Sequence, residues 1–426
     1  MLDLNFILEN VDAVKANCRN RRVEADVDRV VELAQERRRL IHEYESVRRR
    51  QKDVSEQTRD AATPEDRDRL VAEGRDLKAR LAECEAARGA VEGSLREEQA
   101  RIPNMSHPDA PIGTGEEDNV ELRRSGPATR FEFEPKDHVE LGEALDLIDL
   151  EGGSKVAGRN WYFLRNEAVL LEFALIDFAL RALLTEGFTP HITPDAARSD
   201  ILDGIGFNPR GEETQIYSLT GFDLGLIATA EITLGGLLAD EIIDGDRLPL
   251  KLAGVSHCFR TEAGAHGRAA RGLYRVHQFS KVEMFAFTRP EQSDDMLEYL
   301  VSLEERMFLQ LGIPFRVVDS CTGELGGPAY RKYDLEAWMP GRVEGGAWGE
   351  VTSASNCTDY QARRLNIRFR RAAGSRPEFV HTLNGTAIAV SRALLAILEN
   401  YQQSDGSVAV PEVLRAFVGR DVIRRA

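Results

Sequence analysis

Between Leu33 and Leu95 the apolar residues fall on a helical period that constrains the chain more than any other feature. Leu33, Leu40, Tyr44, Val47 and Val54 follow steps of seven, four and three, and Leu70, Leu77, Leu81, Cys84, Val91 and Leu95 repeat the pattern. Thr63-Pro64-Glu65-Asp66 stands between the two runs. It supplies a capping hydroxyl, a proline suited to the first helical position and acids for the first turn, so a second helix starts there. Two long helices joined by a short turn form an antiparallel hairpin. With about 35 residues in each at roughly 1.5 Å per residue, the arm reaches on the order of 50 Å. A structure so thin cannot enclose a small-molecule site. Its work is to reach a large partner, or to act as a plain dimerising or spacing coiled coil.

Past Ile102 the composition shifts to Pro, Gly, Asn and Ser as far as Gly115, which divides the chain into residues 1–102, a linker 103–115 and a larger region 116–426. In that region Glu140 to Ile148, Asn166 to Leu184, Gln292 to Leu311 and Ala387 to Tyr401 read as helices. Leu250 to Glu262, Tyr274 to Phe287 and Leu365 to Phe369 read as strands. Strands joined by hairpins, without strict strand–helix alternation, predict an α+β fold with an antiparallel sheet flanked by helices. No G-x-x-x-x-G-K-[ST] is present, nor a G-x-G-x-x-G after a strand. A nucleotide would therefore be held by side chains on a sheet. The length of 426 residues and 42% hydrophobic content suffice for a substantial core.

The start of the chain lacks the order of a signal peptide, and the most apolar window, Val169 to Leu184, is broken by Glu172, Asp177 and Arg181. A cytoplasmic protein without membrane contact is expected. Five scattered cysteines, with no C-x-x-C pair, read as reduced packing residues. The net charge of −16 disfavours nucleic-acid binding only on average. Arg37, Arg38, Arg39, Arg48, Arg49, Arg50 and Lys52 crowd one window of the arm, either as a phosphate-binding surface or as a solvated helix face.

The densest chemistry lies in Phe259 to Phe285, FRTEAGAHGRAARGLYRVHQFSKVEMF. Alternation places Arg260 and Glu262 on one face of one strand, and Leu273, Arg275, His277, Phe279, Lys281 and Glu283 on one face of the next. Tyr274, Val276, Val282 and Met284 read as the buried side. The turn between them holds Gly264, Gly267, Arg268, Arg271 and Gly272, a composition suited to meeting an anion. Guanidinium groups, carboxylates and one aromatic ring suit a nucleoside triphosphate plus a small amine. Cross-strand ion pairs are the competing reading.

This segment (259–285) resembles motif 2 of class II aminoacyl-tRNA synthetases in the form found in seryl-tRNA synthetases. His381 to Phe417 resembles motif 3 (381–417), Thr229-Ala230-Glu231 the serine-binding element, and the surroundings of Pro194 (186–200) motif 1. KYDLEAWMPG from Lys332 and EVTSASNCTDYQARRLNIRFR from Glu350 also follow the family, so the resemblance spans the chain. It implies a ligase that activates L-serine with ATP and passes it to the 3′ end of tRNA(Ser), and of the selenocysteine tRNA. The N-terminal arm and the motif 2 loop would grip the tRNA, and the enzyme would be a homodimer. Family members that load a carrier protein generally lack the arm, and a non-catalytic paralogue would be expected to lose such residues as Arg260, Glu283, Glu350 and Arg392.

Residue by residue, the resemblance implies that Arg260 holds the α-phosphate and the serine carboxylate, Glu262 the adenine amino group, and Phe279 the adenine ring by stacking. Arg275 and Arg392 would clamp the triphosphate, with Thr261, Val276, Val351 and Thr352 completing the ATP site. Glu350 and Ser353 match the family's Mg2+ pair. An ideal strand puts residues three apart on opposite faces, so that pair needs a bend or bulge. Thr229, Ala230, Glu231, Arg260, Glu283 and Thr386 would bind serine, and Thr386 stands where serine is commoner. His257, His277 and His381 are expected to be structural, whereas His266 in the tip either contacts a phosphate or base of the acceptor stem or is an exposed histidine with no fixed partner. Some archaeal members carry zinc, and the absence of a clustered Cys/His set in the sequence implies the zinc-free type.

Overall fold

The structure, a computed structural model, describes residues 1–207, 216–262 and 272–425. It divides into two compact units, Met1–Met105 and Ser106–Ala426. Among the described residues no helix is long and apolar enough to cross a membrane.

In the first unit two short helices, α1 (Leu4–Glu9) and α2 (Val11–Asn20), precede the long pair α3 (Val27–Arg59) and α4 (Pro64–Arg101). Asp26 caps α3 by accepting the Arg29 N–H at 2.8 Å, and Thr63 caps α4 by accepting that of Asp66 at 3.2 Å. Leu33, Leu40, Val47 and Val54 are buried at every seventh position of α3, facing Leu70, Cys84 and Leu95 of α4. Leu77, Leu81 and Val91 are only half-buried, as a two-helix seam requires. Polar pairs stitch its rim: Tyr44 to Glu85 at 2.9 Å, Arg37 to Glu92 at 3.0 Å and Arg50 to Glu73 at 2.8 Å. The basic window is thereby divided. Arg37 and Arg50 bind across the hairpin, whereas Arg38, Arg48, Arg49 and Lys52 are exposed and make no ion pair among the described residues.

The second unit is built on an eight-stranded sheet. Its strands are β1 (Val120–Ser125), β2 (Thr189–Ile192), β3 (Leu250–Phe259), β4 (Gln278–Thr288), β5 (Phe315–Asp319), β6 (Arg331–Met339), β7 (Ala347–Asn356) and β8 (His381–Ala389). The spatial order is β1-β5-β6-β7-β8-β4-β3-β2. Pairing is antiparallel except at the edge, where β2 runs parallel to β3. Helices α5 (Glu167–Thr185), α6 (Glu231–Gly236), α7 (Ser293–Gln310) and α8 (Val390–Asn400) cover the sheet. Val282, Met284 and Ala286 of β4 join a core with α5, α7 and α8, while Phe285 and Phe287 point into a second core with α6.

Sequence periodicity overran several boundaries. β3 ends at Phe259, and Glu262 has a positive φ of 51°, so Arg260 and Glu262 do not share a strand face. β4 starts at Gln278; Leu273, expected on the open face, is fully buried, and Tyr274 is half-buried. Leu365 closes a helix, Tyr360–Leu365, and the expected strand shrinks to Arg368–Arg370. In each case alternation or β-propensity was followed past the last ladder bond, where tertiary contacts decide.

Gly254 of β3 lies opposite Glu283 of β4, and a Cβ there would stand 2.9 Å from both Ala230 Cβ and Leu234 Cδ1. The start of α6 is thus laid directly on the strand. Gly254→Ala should lower stability by about 1–3 kcal/mol through overpacking; calorimetric unfolding midpoints of variant and parent check this, and an unchanged midpoint would contradict the close approach.

Candidate active site

A cleft of about 690 Å³ opens over β4, β7 and β8. Alternation along β4 aims Phe279, Lys281 and Glu283 into it before the same face turns to core at Phe285 and Phe287. The turn after β3 contributes Arg260 and Glu262, and the segment before β4 contributes Tyr274, Arg275 and Val276. Thr229 and Glu231 enter from the start of α6, Thr386 from β8, and Arg392 from the first turn of α8.

Glu350, Val351, Thr352 and Ser353 all line the cleft, which a regular strand would not allow. The register supplies the reason. Leu335 pairs with Thr352 and Glu336 with Glu350, so Val351 is an extra residue, and this bulge turns Glu350 and Ser353 to the same side. A second irregularity between Thr386 and Ile388 lies opposite Glu283 and Val282.

The charges are arranged in two groups. Arg392 Nη1 binds Glu350 Oε1 at 3.0 Å and its carbonyl at 3.1 Å, and Arg275 Nη1 binds Glu262 Oε2 at 3.2 Å. Burial works to raise the Glu350 carboxyl, yet the charges of Arg392, Lys332 and Arg260 outweigh it and bring it down to about 2. This carboxylate stays ionised. The Arg260 guanidinium lies 5.3 Å above the Phe279 ring, and the Arg260 backbone N–H donates to the His277 carbonyl at 3.0 Å. His277 Nδ1 in turn lies 2.9 Å from the Arg260 carbonyl and 3.0 Å from Tyr217 Oη, contacts that hold the turn after β3 against the segment before β4.

The second group is deeper. Glu231 Oε1 accepts from Gln361 Nε2 at 2.7 Å and from Asn384 Nδ2 at 2.9 Å. Glu283, buried between Gly254 and Thr386, is ion-paired with Lys281. Burial, then the charge of Glu283, pushes the Glu231 carboxyl up to about 7; burial also raises Glu283, with Lys281 opposing. Two carboxylates held at such cost, open to one cleft, suit a small cation.

The structure thus gathers Arg260, Glu262, Arg275, Val276, Phe279, Glu350, Val351, Thr352, Ser353 and Arg392 with Thr229, Glu231, Glu283 and Thr386. Ala230 is fully buried and Thr261 does not line the cleft. Sequence reasoning gave no role to Phe207, Lys281, Asn384 or Ser391, which also line it, and assigned Tyr274 to the buried side. Tyr274 is instead stacked beneath Arg342 at 4.1 Å and Arg392 at 4.8 Å. Asn384 was within reach of alternation, being two residues before Thr386 on β8. The basic tip with Gly264, His266, Gly267, Arg268 and Arg271 lies outside the described residues. The five cysteines are buried, and none forms a disulfide among the described residues.

An antiparallel sheet that carries arginines and carboxylates in this cleft, with no phosphate-binding glycine loop among the described residues, defines the catalytic core of a class II aminoacyl-tRNA synthetase. Residues 219–401 match the family described as tRNA synthetase class II core domain (G, H, P, S and T), and residues 1–106 match the seryl-tRNA synthetase N-terminal domain. The serine–tRNA ligase of Rubrobacter xylanophilus is 60% identical over 99% of both chains. Among solved structures, seryl-tRNA synthetase from Pyrococcus horikoshii complexed with ATP is 41% identical and superposes with a TM-score of 0.94 over all of both chains. The cytoplasmic serine–tRNA ligase of Naegleria fowleri in complex with AMP is 32% identical, with a TM-score of 0.88 over 100% of this chain and 99% of that one. The chain belongs to the seryl-tRNA synthetase family.

The raised Glu231 has a consequence for stability. Its carboxyl rises from an ordinary 4.5 to about 7 on folding, so the folded state holds this proton more tightly. Folding therefore loses stability progressively between those two values and bears the full cost above the upper one, roughly 3 kcal/mol. Glu231→Gln should raise the unfolding midpoint at pH 8, with the gain shrinking toward pH 4.5. Calorimetry across that range checks the sign, and a pH-independent gain would contradict it.

Proposed function

We propose that the chain activates L-serine with ATP and transfers the seryl group to the 3′ end of tRNA(Ser) and of the selenocysteine tRNA. The observation that carries this reading is the meeting, in one cleft, of the guanidinium groups of Arg260, Arg275 and Arg392 with the buried carboxylates of Glu231 and Glu283. One group fits a nucleotide's phosphates, the other an amino acid's ammonium.

In the first step a carboxylate oxygen of serine attacks the α-phosphorus of ATP. A C–O–P linkage forms, the bond to the β-phosphate oxygen breaks, and pyrophosphate leaves. Two anions must approach each other, so alignment and charge compensation dominate the catalysis. Arg260 lies between the two groups and takes the α-phosphate and the serine carboxylate; Arg275 and Arg392 take the outer phosphates, releasing Glu262 and Glu350. Phe279 stacks on adenine, Glu262 accepts from its amino group, and Thr261, Val276, Val351 and Thr352 border the nucleotide. Thr229, Glu231 and Glu283 bind the serine ammonium, with Ala230 holding the first two in place, and Glu283 and Thr386 bind the serine hydroxyl. In the second step a ribose hydroxyl of the tRNA's terminal nucleotide attacks the acyl carbon and AMP leaves.

Magnesium fits this site. A Glu350 held ionised and a Ser353 on the same side of the bulge give the one or two protein ligands that Mg2+ takes when phosphates supply others. When bound, the ion neutralises phosphate charge during the attack. No role is assigned to zinc.

Residues 1–102 serve as the tRNA-binding arm, 103–115 as a linker and 116–426 as the catalytic domain, working in the cytoplasm. The basic tip between β3 and β4 meets the acceptor stem. The exposed Val169, Leu170 and Phe173 of α5, with Ile192 beside Pro194, support a homodimer; sedimentation that found a fully active monomer would remove that part.

Transfer of each labelled amino acid to total tRNA tests the reaction, and serine alone should appear on tRNA. Serine-dependent pyrophosphate exchange without a tRNA product would point to a carrier-protein ligase instead. Replacing Arg38, Arg48, Arg49 and Lys52 together with Gln should leave pyrophosphate exchange within about twofold. It should also cut kcat/KM for tRNA by roughly tenfold or more and flatten its salt dependence. Loss of both steps together would place these residues in folding.

A further inference from the structure

Lys281 is the charged residue of the cleft to which neither step gives a task. It is only 5% exposed and belongs to β4, with its stem between Phe279 and Glu283 on the cleft face. Its ammonium donates to Thr229 Oγ1 at 2.8 Å and pairs with the Glu283 carboxylate. These are acceptors that the serine reading reserves for the substrate ammonium, and the role given to Lys281 rests on that reading.

The bonding capacity of Thr229 makes the conflict definite. A hydroxyl oxygen has two lone pairs and one hydrogen. Thr229 Oγ1 uses one lone pair for Lys281 Nζ and the other for the Glu231 N–H at 3.2 Å, so the oxygen has no acceptor site left. An ammonium has donors only. Serine's ammonium can therefore bind Thr229 only if a present donor leaves. The Glu231 N–H is fixed in the first turn of α6, whereas an ammonium on a four-carbon stem can turn away.

We propose that Lys281 is a positioning residue whose ammonium occupies the substrate-ammonium position in the free enzyme and that, when serine enters, it releases Thr229 while keeping Glu283. In the empty pocket Lys281 compensates Glu231 and Glu283, two buried like charges that would otherwise favour taking up a proton. In the filled pocket the substrate brings the replacement cation itself. A ligand without an α-ammonium brings no replacement cation and leaves Lys281 in the ammonium position, so the exchange contributes to selecting amino acids over hydroxy acids.

The test uses the full chain. Lys281→Met should raise KM for serine in pyrophosphate exchange by roughly tenfold or more, the scale of a lost charged hydrogen bond, with KM for ATP little changed; the unfolding midpoint should fall, because Glu283 loses its buried partner. Lys281→Arg keeps the charge and should recover part of the loss, and it stands in if the Met variant does not fold. A parallel rise in both KM values, or an unchanged KM for serine, would overturn the role. A crystal structure with a non-hydrolysable seryl-adenylate should show Lys281 Nζ beyond hydrogen-bond reach of Thr229 Oγ1; an intact bond with the ligand seated would overturn the exchange. If the parent enzyme exchanges pyrophosphate with another amino acid and not with serine, the substrate reading fails, and the same measurements with that amino acid still support or overturn Lys281.

Discussion

The ladder between β3 and β4 governs the second unit. Ten consecutive pairs, from Leu250 with Phe287 to Phe259 with Gln278, lock a strand that is buried on both faces for most of its length. Its backbone needs are met by β3 and β8, which frees one face to carry Phe279 and the charged Lys281 and Glu283 to the cleft and apolar rings at the next two alternate positions. A slip of one residue would send Phe279, Lys281 and Glu283 into the helical core and bring Ser280, Val282 and Met284 to the cleft. The cost of burying Lys281 and Glu283 is accepted because the surrounding ladder over-determines where they point.

Around that strand, ionisable groups are compensated in layers. Glu283 has Lys281; Glu231 has two amide donors; Glu350 has Arg392. Behind Glu350, Asp334 is bound by Lys332 at 2.9 Å and Ser320 at 2.8 Å, and burial, opposed by Lys332, pushes its carboxyl up to about 6. Glu304 of α7 is buried beneath the sheet, raised well above the ordinary range by burial, and accepts the Thr352 hydroxyl at 2.7 Å. It fixes a residue of the cleft wall there. On the proposed reading, Thr229 exchanges Lys281 for the substrate's ammonium, and Arg392 exchanges Glu350 for phosphate.

Much of this was legible in the sequence, for identifiable reasons. The hairpin of α3 and α4 follows from a period-seven seam and a Thr-Pro cap, signals that are local and repeated. The need for a bulge between Glu350 and Ser353 followed from the period of two, and the register supplies it at Val351. The positions of Tyr274 and Leu273 were misjudged because the ladder does not extend to them; alternation has no meaning outside paired backbone. Lys281 and Asn384 lay on the correct faces but drew no role, since a lysine beside a glutamate reads as an ordinary pair until Thr229, 52 residues away in sequence, is seen to share it.

The two units also differ in how they tolerate change of length. Because the seam of α3 and α4 repeats every seven residues, a seven-residue insertion in each helix would extend the arm by about 10 Å with every buried contact conserved in kind. In the sheet a single inserted residue in β4 inverts its faces. Insertions and deletions accepted over evolutionary time should therefore accumulate in the arm in multiples of seven, letting its reach follow the size of its partner while the sheet keeps a fixed count.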